Sequence, residues 1–529
     1  TPLPTVAPPC PLPIPPFSDL SVTVPDVYRA LLQLKINKSP GPDGVMSNVL
    51  SQVALEVSLP LTILFNSSLS TGRVPVMWKQ AHITPVFKNG DRSSVNNYRP
   101  VALTSILCKL LEGLVCSAMQ EHLDTYGLLN NQQHGFSKGR SCVTQLVNVL
   151  HSWQSILDSR RPPRIDAVFL DMSKAFDKMP HHMLLSKLAS NFNIRGNIWQ
   201  WISSFLSNRQ QRVLFLGHAS AWTGVSSGVP QGSVLGPKLF NLFVNDISAH
   251  ISSQCALFAD DIVLFKTVTS SDDEHVLQKD IDVLHEWAIS NGMSFNPTKT
   301  KVMHITRKRA FIRPTYKLGE VMLTCTPSFR YLGVTISSDL SWNSHITTMT
   351  SRANKLLGFI RVVARGASNN AIFSLYKSLV LPILEYGVPA WHPTTLAQIQ
   401  QVERVQRNAT RIALKQMRGE MAYADRLKAL NWSTLSSRRD YLLCSFSFKC
   451  LSGVCDCSML SENIIVNPRY PDSLTFKHLT SRTQSLFCSP SRRLPRVWNG
   501  LPSSVKDASI LSPFPAFLFL LKSTILSVQ

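Results

Sequence analysis

Residues 255–265 read Cys255-Ala256-Leu257-Phe258-Ala259-Asp260-Asp261-Ile262-Val263-Leu264-Phe265. Two short apolar strands flank an adjacent pair of carboxylates, so the pattern predicts a hairpin whose turn carries Asp260 and Asp261. Two like charges about 4 Å apart repel by roughly 4 kcal/mol at an effective dielectric constant near 20. A cation between them would relieve that repulsion, so the hairpin predicts half of a metal site. A solvated Asp-Asp turn is the alternative.

A third carboxylate lies upstream at the end of another predicted strand. Residues 167–171 form an apolar run that ends on Asp171 and continues into polar sequence compatible with a helix. Taken alone, Asp171 would be a cap or turn residue. A strand that ends beside the hairpin would instead bring it to Asp260 and Asp261. Three aspartates from two elements can hold two Mg²⁺ ions about 3.5–4 Å apart, an arrangement that serves phosphoryl transfer.

Further blocks follow one another in order along the chain. In one-letter code they are 38–44 KSPGPDG, 97–105 NYRPVALTS, 133–141 QHGFSKGRS, 167–177 AVFLDMSKAFD, 228–237 GVPQGSVLGP, 296–301 NPTKTK, 331–334 YLGV, 384–391 LEYGVPAW and 405–407 VQR. Together with the hairpin they resemble, in the same order, the reverse transcriptase region of a non-LTR (LINE-type) retrotransposon of the Jockey and chicken-repeat kind. The resemblance runs from about residue 26 to about residue 420, with a weaker echo at 498–502. An ordered set of motifs is far more specific than any single motif.

The resemblance implies an α+β, right-hand polymerase fold of fingers, palm and thumb, followed by a mainly helical C-terminal region. The expected division is a Pro-rich linker at 1–25, an N-terminal fingers extension at 26–80, fingers and palm at 81–340, a helical thumb at 341–420 and a region of unknown role at 421–529. The Pro-rich lead from Thr1 predicts a linker or a truncated start. Related elements usually carry an endonuclease upstream, so target nicking is not predicted for this chain.

The resemblance also assigns residues to the incoming nucleotide. It places Lys88 and Arg99 on the fingers hairpin that contacts the triphosphate, a task suited to cationic side chains. It places the amide of Gln231 at the sugar and Phe176 at the steric gate that crowds a ribose 2′-hydroxyl. Deoxynucleotides are therefore the expected substrates. Without the resemblance, these would be exposed loop charges, a turn glutamine and a core phenylalanine.

Other cations are expected at the leaving group or on the template. Lys299 or Lys301 could donate a proton to the leaving pyrophosphate, and family alignment favours Lys299. A solvated basic run is the alternative. Lys138 and Arg140 lie in a turn punctuated by glycine, where the backbone can approach phosphates closely. They are predicted either to contact the template backbone or to be solvated turn charges.

Helical periodicity further along the chain predicts a packed thumb. The apolar residues that share an arc about 100° wide are Ile346, Met349, Ala353, Leu356, Leu357 and Ile360. In the next predicted helix, Arg404, Arg407 and Arg411 form a basic stripe. This stripe is expected either to contact a nucleic-acid backbone or to be a solvated face.

The composition favours a polyanionic partner. The 529 residues contain 54 Lys and Arg against 32 Asp and Glu, a formal net charge of +22. No apolar run is long enough for a membrane span, and no secretory signal precedes the eleven cysteines. We therefore expect an intracellular protein with reduced thiols, and the family resemblance indicates the nucleus. Cys450, Cys455 and Cys457 cluster without the spacing of a zinc knuckle.

The sequence thus predicts an RNA-directed DNA polymerase. Its expected partners are an RNA template, a DNA primer or target and deoxynucleoside triphosphates, and no membrane. Its expected cofactors are two Mg²⁺ ions, with Mn²⁺ possible, held by Asp171, Asp260 and Asp261. The alternatives are an inactive or repurposed retroelement remnant that binds nucleic acid without catalysis, and an RNA-templated RNA polymerase, which Phe176 disfavours.

Overall fold

The computed structural model describes residues 8, 10–308, 311, 313–416, 419–467, 474–506 and 514–526. The strands are β1 (Gln80–Phe87), β2 (Tyr98–Thr104), β3 (Arg164–Asp171), β4 (Arg209–Phe215), β5 (His218–Ala219), β6 (Thr223–Val225), β7 (Gln254–Phe258), β8 (Asp261–Val268), β9 (Lys301–Ile305), β10 (Lys317–Leu318), β11 (Val321–Met322), β12 (Thr324–Cys325), β13 (Ser328–Tyr331) and β14 (Val334–Ser337).

The α-helices are α1 (Val24–Leu32), α2 (Ser47–Gln52), α3 (Ala54–Ser70), α4 (Ile106–Thr125), α5 (Cys142–Leu157), α6 (Ala175–Lys178), α7 (His181–Phe192), α8 (Gly196–Leu206), α9 (Leu235–Phe243), α10 (Ser271–Ser290), α11 (Asn343–Val363), α12 (Asn369–Leu375), α13 (Leu381–Glu385), α14 (Leu396–Leu414), α15 (Tyr423–Leu430), α16 (Leu435–Leu451), α17 (Ser458–Asn463), α18 (Gln484–Phe487), α19 (Pro490–Asn499) and α20 (Phe514–Leu526). Single 3₁₀ turns occupy Val76–Lys79 and Val95–Asn97, and a π-helical turn occupies Tyr376–Val380.

The palm is a five-stranded sheet with the strand order β12-β9-β3-β8-β7. Its central strand β3 runs antiparallel to both β8 and β9. Side chains alternate between the two faces of a strand, so Val168 and Leu170 enter one hydrophobic core while Ala167 and Phe169 enter another. The palm sheet therefore separates two cores and is buried on both faces, which explains the nearly continuous apolar run that leads to Asp171.

The first core joins the palm to the fingers. Buried side chains of α1, α3, α4, α7, α8, α9 and α10 pack together there, including Phe65, Trp201 and Phe240. The fingers sheet has the order β2-β1-β4-β5, and β6 pairs with β4. In the β1–β2 hairpin, Val86 lies opposite Arg99. This hairpin projects the two predicted triphosphate-binding cations, and α9 begins next to Val234 as the sequence predicts.

The segment predicted as a linker, 1–25, lies partly outside the described residues. Its described end is packed against the fingers and palm rather than free. The Phe17 N–H donates to the Asn193 carbonyl at 3.0 Å, and the Val22 N–H donates to the Asn66 side chain at 2.9 Å. Val22 is buried, and α1 begins directly afterwards. The linker prediction is therefore wrong for residues 17–22.

The second core joins the other palm face to the thumb and to the C-terminal helices. The predicted apolar arc of α11 is confirmed, because five of its six members are buried and Leu356 is partly buried. In the C-terminal region Trp498 is fully buried, and Trp432 stacks on Tyr376 with ring centroids 4.8 Å apart. Both tryptophans are therefore packing residues. Among the described helices, none has the length and apolar character needed to cross a membrane.

The C-terminal region also reaches back to the palm along α5. The carboxylate of Asp158, at the end of α5, accepts from the Arg482 N–H at 2.9 Å and from the Thr483 N–H at 2.7 Å. At the other end of α5, Asp456 forms an ion pair with Arg140. The region of unknown role at 421–529 therefore contacts both ends of α5, a helix of the palm.

Candidate active site

The palm sheet brings the three predicted aspartates to one place. Asp171 is the last residue of β3 and Asp261 the first residue of β8, and the two are direct partners in the antiparallel register. Phe258 pairs with Asp261 at the end of β7, which leaves Ala259 and Asp260 as the turn. Asp261 therefore belongs to the strand rather than to the turn. We refer to residues 258–261 as the aspartate turn.

The aspartate turn is supported by a side chain that sequence reasoning missed. Ala259 has a φ of +55°, in the left-handed region where a Cβ costs about 1 kcal/mol. Oε1 of Gln133 accepts from the Ala259 N–H at 2.9 Å and from the Gly135 N–H at 2.7 Å. Gln133 is only 5% exposed. A Cβ on Gly135 would lie 2.3 Å from the Ala259 nitrogen, so glycine is needed for this close approach.

The surroundings of the aspartates disfavour negative charge. Reduced contact with water raises the pKa of Asp260, and repulsion from Asp171 raises it further. The pKa of Asp261 rises to about 6, first through reduced hydration and then through repulsion from Asp260 and Asp171. Lys88 offsets part of the shift at both residues. A divalent cation would relieve this repulsion.

The donor set fits a hard divalent cation, because Mg²⁺ and Mn²⁺ prefer carboxylate oxygens. Within the described part of the chain, no three Asp, Glu, His or Cys side chains already converge closely enough to hold a metal ion. The strand pairing places the three aspartates next to one another. Metal binding would require their carboxylate oxygens to rotate towards a shared ion.

Two exposed cations of the fingers hairpin lie near the aspartates. Lys88 directly follows β1, and Arg99 lies in β2. Both lower the pKa of Asp260, so both lie within electrostatic reach of its carboxylate. Among the described residues neither side chain has a hydrogen-bond or ion-pair partner. They are free to bind an anionic group of a ligand.

A third cation, Lys299, lies beside Asp171. Its Nζ lies 3.5 Å from Oδ2 of Asp171. The two residues line a cavity of about 490 Å³ that is also bounded by Asp261 and by Arg330 and Tyr331 of β13. The cavity connects the aspartates to the β13–β14 hairpin, which contains the 331–334 block and which the family resemblance predicts to support the primer end. Lys301 points elsewhere, with its Nζ 2.6 Å from the Thr324 hydroxyl.

Phe176 and Gln231 are both fixed by neighbours. The Phe176 ring stacks on the buried ring of Phe240 with centroids 4.6 Å apart. Nε2 of Gln231 donates to Oδ1 of Asp177 at 2.8 Å. The backbone between these residues is also tied, because the Val229 N–H donates to the Phe176 carbonyl at 2.8 Å. The two predicted sugar contacts therefore belong to one rigid unit.

Glycine is required where this unit meets its neighbours. Gly228 has a φ of +73°, and a Cβ there would lie 2.3 Å from the Phe176 carbonyl oxygen. Gly232 lies against β2, where a Cβ would be 2.4 Å from the Ala102 oxygen, and the Ala102 N–H donates to the Gln231 carbonyl at 2.8 Å. The loop 228–232 therefore connects the palm to the fingers.

Comparison with known proteins agrees with this geometry. Residues 86–336 match the family model described as reverse transcriptase (RNA-dependent DNA polymerase). This match, together with the relatives described below, indicates a reverse transcriptase of the non-LTR (LINE) type. The matched residues include the end of β1, all of β2, the three aspartates, and the β13–β14 hairpin up to Ile336.

The non-LTR assignment comes from curated relatives. A probable RNA-directed DNA polymerase from transposon BS of Drosophila melanogaster is 28% identical over 404 residues, covering 74% of this chain and 44% of that protein. The polymerases of the mobile element jockey from Drosophila melanogaster and Drosophila funebris are 26% and 29% identical, covering 74% and 70% of this chain and 44% and 41% of theirs. The chain therefore spans less than half the length of these relatives.

The right-hand polymerase fold agrees with the family match over residues 86–336 and with the strand order of the palm sheet. A solved structure of apo telomerase from Candida tropicalis is 11% identical, with a TM-score of 0.37 over 57% of this chain and 62% of that one. A similarity of this size adds nothing to the assignment.

The structure gives Arg140 of the reverse transcriptase domain a different task from the predicted one. Its guanidinium donates to the Asn131 and Gln133 carbonyls at 2.8 and 3.0 Å and forms the ion pair with Asp456. These partners turn it towards the protein, so it supports the loop that carries Gln133 instead of extending to a template. Lys138 is exposed, and its predicted template contact stays a prediction.

The basic stripe of the thumb is also divided by the structure. Arg404 and Arg407 are both exposed on α14, and Arg407 also lies over the Tyr423 ring, 5.1 Å from its centroid. Arg411 faces α11, and its predicted nucleic-acid contact stays a prediction. Local periodicity could not separate these three arginines, because their neighbours come from other helices.

Proposed function

We propose that this chain is an RNA-directed DNA polymerase of a non-LTR retrotransposon. It would copy an RNA template by extending the 3′-hydroxyl of a DNA primer or target with deoxynucleotides. The observation that carries the proposal is the register pair of Asp171 and Asp261, with Asp260 beside them in a place where charge is disfavoured. The family match and the printed names of the relatives support the same activity.

Asp171, Asp260 and Asp261 would hold the divalent cations. When bound, two Mg²⁺ ions, or Mn²⁺, supply positive charge that stabilises the attacking and leaving oxygens of phosphoryl transfer. The part played by the protein is to bring three carboxylates from two strands to one position. The raised pKa values of Asp260 and Asp261 mean that cation binding competes with protonation in weakly acidic solution.

The remaining side chains handle the nucleotide. Lys88 and Arg99, which have no protein partner in the described structure, would bind the triphosphate. Lys299 would donate a proton from Nζ to the departing pyrophosphate, and its ion pair with Asp171 keeps it close to the reacting atoms in the free enzyme.

Phe176 would select the sugar. Because its ring is stacked on Phe240, it cannot move away easily when a ribose 2′-hydroxyl approaches. Gln231 would contact the sugar from the loop 228–232. We expect Phe176→Val to raise incorporation of ribonucleotides relative to deoxynucleotides by about tenfold or more, because a smaller side chain leaves room for the hydroxyl. Unchanged selectivity would refute the gate and favour another source of discrimination.

Primer extension on an annealed RNA template with Mg²⁺ tests the central proposal. We expect Asp260→Asn to lose more than about 1000-fold in rate, since it removes a charged ligand from the reacting centre. Asp282→Asn is the matched control, because Asp282 is exposed on α10 away from the site. Normal extension by Asp260→Asn would refute the mechanism. Tight template binding without extension by the wild-type protein would instead favour a remnant that binds without catalysis.

The proposed partners also imply a location. A polymerase that extends a chromosomal DNA target has to work where that DNA is, so we propose a nuclear location. Fluorescence imaging of the tagged chain in cells would test this, and exclusion from the nucleus would contradict it.

A further inference from the structure

A second basic groove lies on the thumb, away from the aspartates. It is a cavity of about 1020 Å³ between α11 and α14, closed at one end by Ile372 of α12. Its cationic lining residues are Arg361, Arg365, Arg411 and Lys415. Its lining contains no carboxylate among the residues that the structure describes. Four positive charges around one groove repel each other, and an anionic ligand would relieve that repulsion.

These cations are not neutralised by the described protein around them. None of the four takes part in an ion pair between described residues. Arg411 reaches only the Asn408 side-chain oxygen, at 3.4 Å, and its Nε is buried without a hydrogen-bond partner. Buried guanidinium donors are normally paired, so this donor is available to an anionic group in the groove. Arg361 is exposed in the last turn of α11, and Arg365 is exposed in the turn that follows the helix.

The groove faces away from the primer-supporting hairpin. Around α11, residues advance by about 100° each, which places Arg361 about 180° from Arg352 and about 120° from Met349. Met349 and Arg352 line a different cavity, which is shared with Arg330 and Gly333 of the β13–β14 hairpin. A duplex seated against that hairpin would therefore lie across a helix about 10 Å thick from the basic groove.

We propose that this outer thumb groove binds the sugar–phosphate backbone of a second nucleic-acid strand, separate from the primer–template duplex. The positive lining suits phosphate, and no aromatic residue lines the groove to stack on bases. Recognition would therefore be electrostatic and independent of sequence. Arg404 lies seven residues before Arg411 on the same side of α14, so the exposed part of the predicted basic stripe would extend the same path.

Substitution of Gly358 can test the groove without disturbing the packing around it. It lines the cavity in the middle of α11, and a Cβ there would have no atom within 4 Å. Gly358→Glu therefore adds a carboxylate to the groove without a clash, and Gly358→Gln adds the same volume without charge. Arg361→Gln with Arg365→Gln removes two cations, and Lys279→Gln with Lys317→Gln removes two exposed cations near the palm as the matched control.

The measurement is fluorescence anisotropy of a labelled 20-nucleotide strand added to the 529-residue chain already saturated with unlabelled primer–template duplex. Single-stranded RNA, single-stranded DNA and duplex DNA are tested separately, so the arms identify which source of backbone the groove prefers. Each lost phosphate contact lowers the slope of log affinity against log salt by about 0.7 for a single strand. The double arginine variant should therefore lose about 1.4 in slope and bind roughly 25-fold more weakly at 0.1 M salt.

Three results decide the proposal. Support requires Gly358→Glu and the double arginine variant to weaken the second strand while Gly358→Gln and the lysine control do not. Affinity for the primer–template duplex must also be retained by the groove variants. The proposal is overturned if the saturated wild-type chain binds no further strand, if the groove variants match the wild type, or if they lose the duplex by the same factor. Because the readout is binding, failure here leaves the proposed polymerase activity untouched.

Discussion

Removing the side chain of Gln133 should disable the aspartate turn while leaving every aspartate in place. In Gln133→Ala the Ala259 and Gly135 N–H groups lose their shared acceptor, and both residues are buried. An unpaired buried donor costs about 1–3 kcal/mol, so the two together destabilise this part of the palm by roughly 2–6 kcal/mol, with water entry favouring the lower end. The left-handed φ of Ala259 also loses its support.

The expected consequence is a loss of rate rather than of nucleotide binding. If even about 1.4 kcal/mol of this cost falls on the position of Asp260 in the transition state, the rate drops tenfold. Single-turnover primer extension measures that rate, while the dependence on deoxynucleotide concentration reports binding at Lys88 and Arg99. Thermal unfolding shows whether the variant remains folded.

Two further variants make the reasoning refutable. Gln132→Ala removes the exposed neighbouring side chain and should change the rate less than about twofold. Gln133→Glu keeps an acceptor of the same shape but adds a negative charge, so it should restore thermal stability and move the acid limb of the pH–rate profile upwards. If Gln133→Ala matches Gln132→Ala in both rate and thermal stability, the proposed support of the turn is wrong.

Other predictions follow from single contacts. Asp261 has a folded-state pKa of about 6 against an ordinary value near 3.8, so in the metal-free protein stability should fall as pH rises through about 4 to 6. Asp261→Asn should weaken that dependence in thermal unfolding and leave the part that comes from Asp260. Asp177→Ala frees the Gln231 amide and should raise KM for deoxynucleotides several-fold with a smaller change in kcat, measured by steady-state extension; an unchanged KM would contradict the link. Asp456→Ala leaves the Arg140 guanidinium without its carboxylate and should lower both the melting temperature and the extension rate. If neither falls, the ion pair between Arg140 and Asp456 is not needed for stability or activity.

The positions of the three aspartates could be predicted from the sequence because each depends on a short segment of the chain. An apolar strand that ends in a carboxylate, and a hairpin that carries two more, are visible within about ten residues each, and the family order places them together. The fold followed from the same motifs. The periodicity of α11 likewise depends only on its own residues, and the structure confirms it.

The supporting contacts could not be predicted, because their partners are far away in the chain. Gln133 is 126 residues from the turn that it holds, and in sequence it is one polar residue in a loop. Arg140 has the same charge whether it faces a template or Asp456. Arg411 belongs to a predicted stripe, but only the packing of α14 on α11 shows that it shares a groove with Arg361. Such pairings depend on tertiary packing, which periodicity does not report.

The ion pair between Arg140 and Asp456 has a consequence for how the protein is made. The two residues are 316 positions apart, and the loop that Arg140 supports carries Gln133. A ribosome that adds about 5–20 residues per second needs roughly 15–60 s to synthesise the intervening chain. During that interval the fingers and palm emerge with their aspartate turn only partly supported. In a nascent chain Arg140 therefore gains its ion pair with Asp456 only after residue 456 has been synthesised, and a product that terminates before residue 456 never gains it.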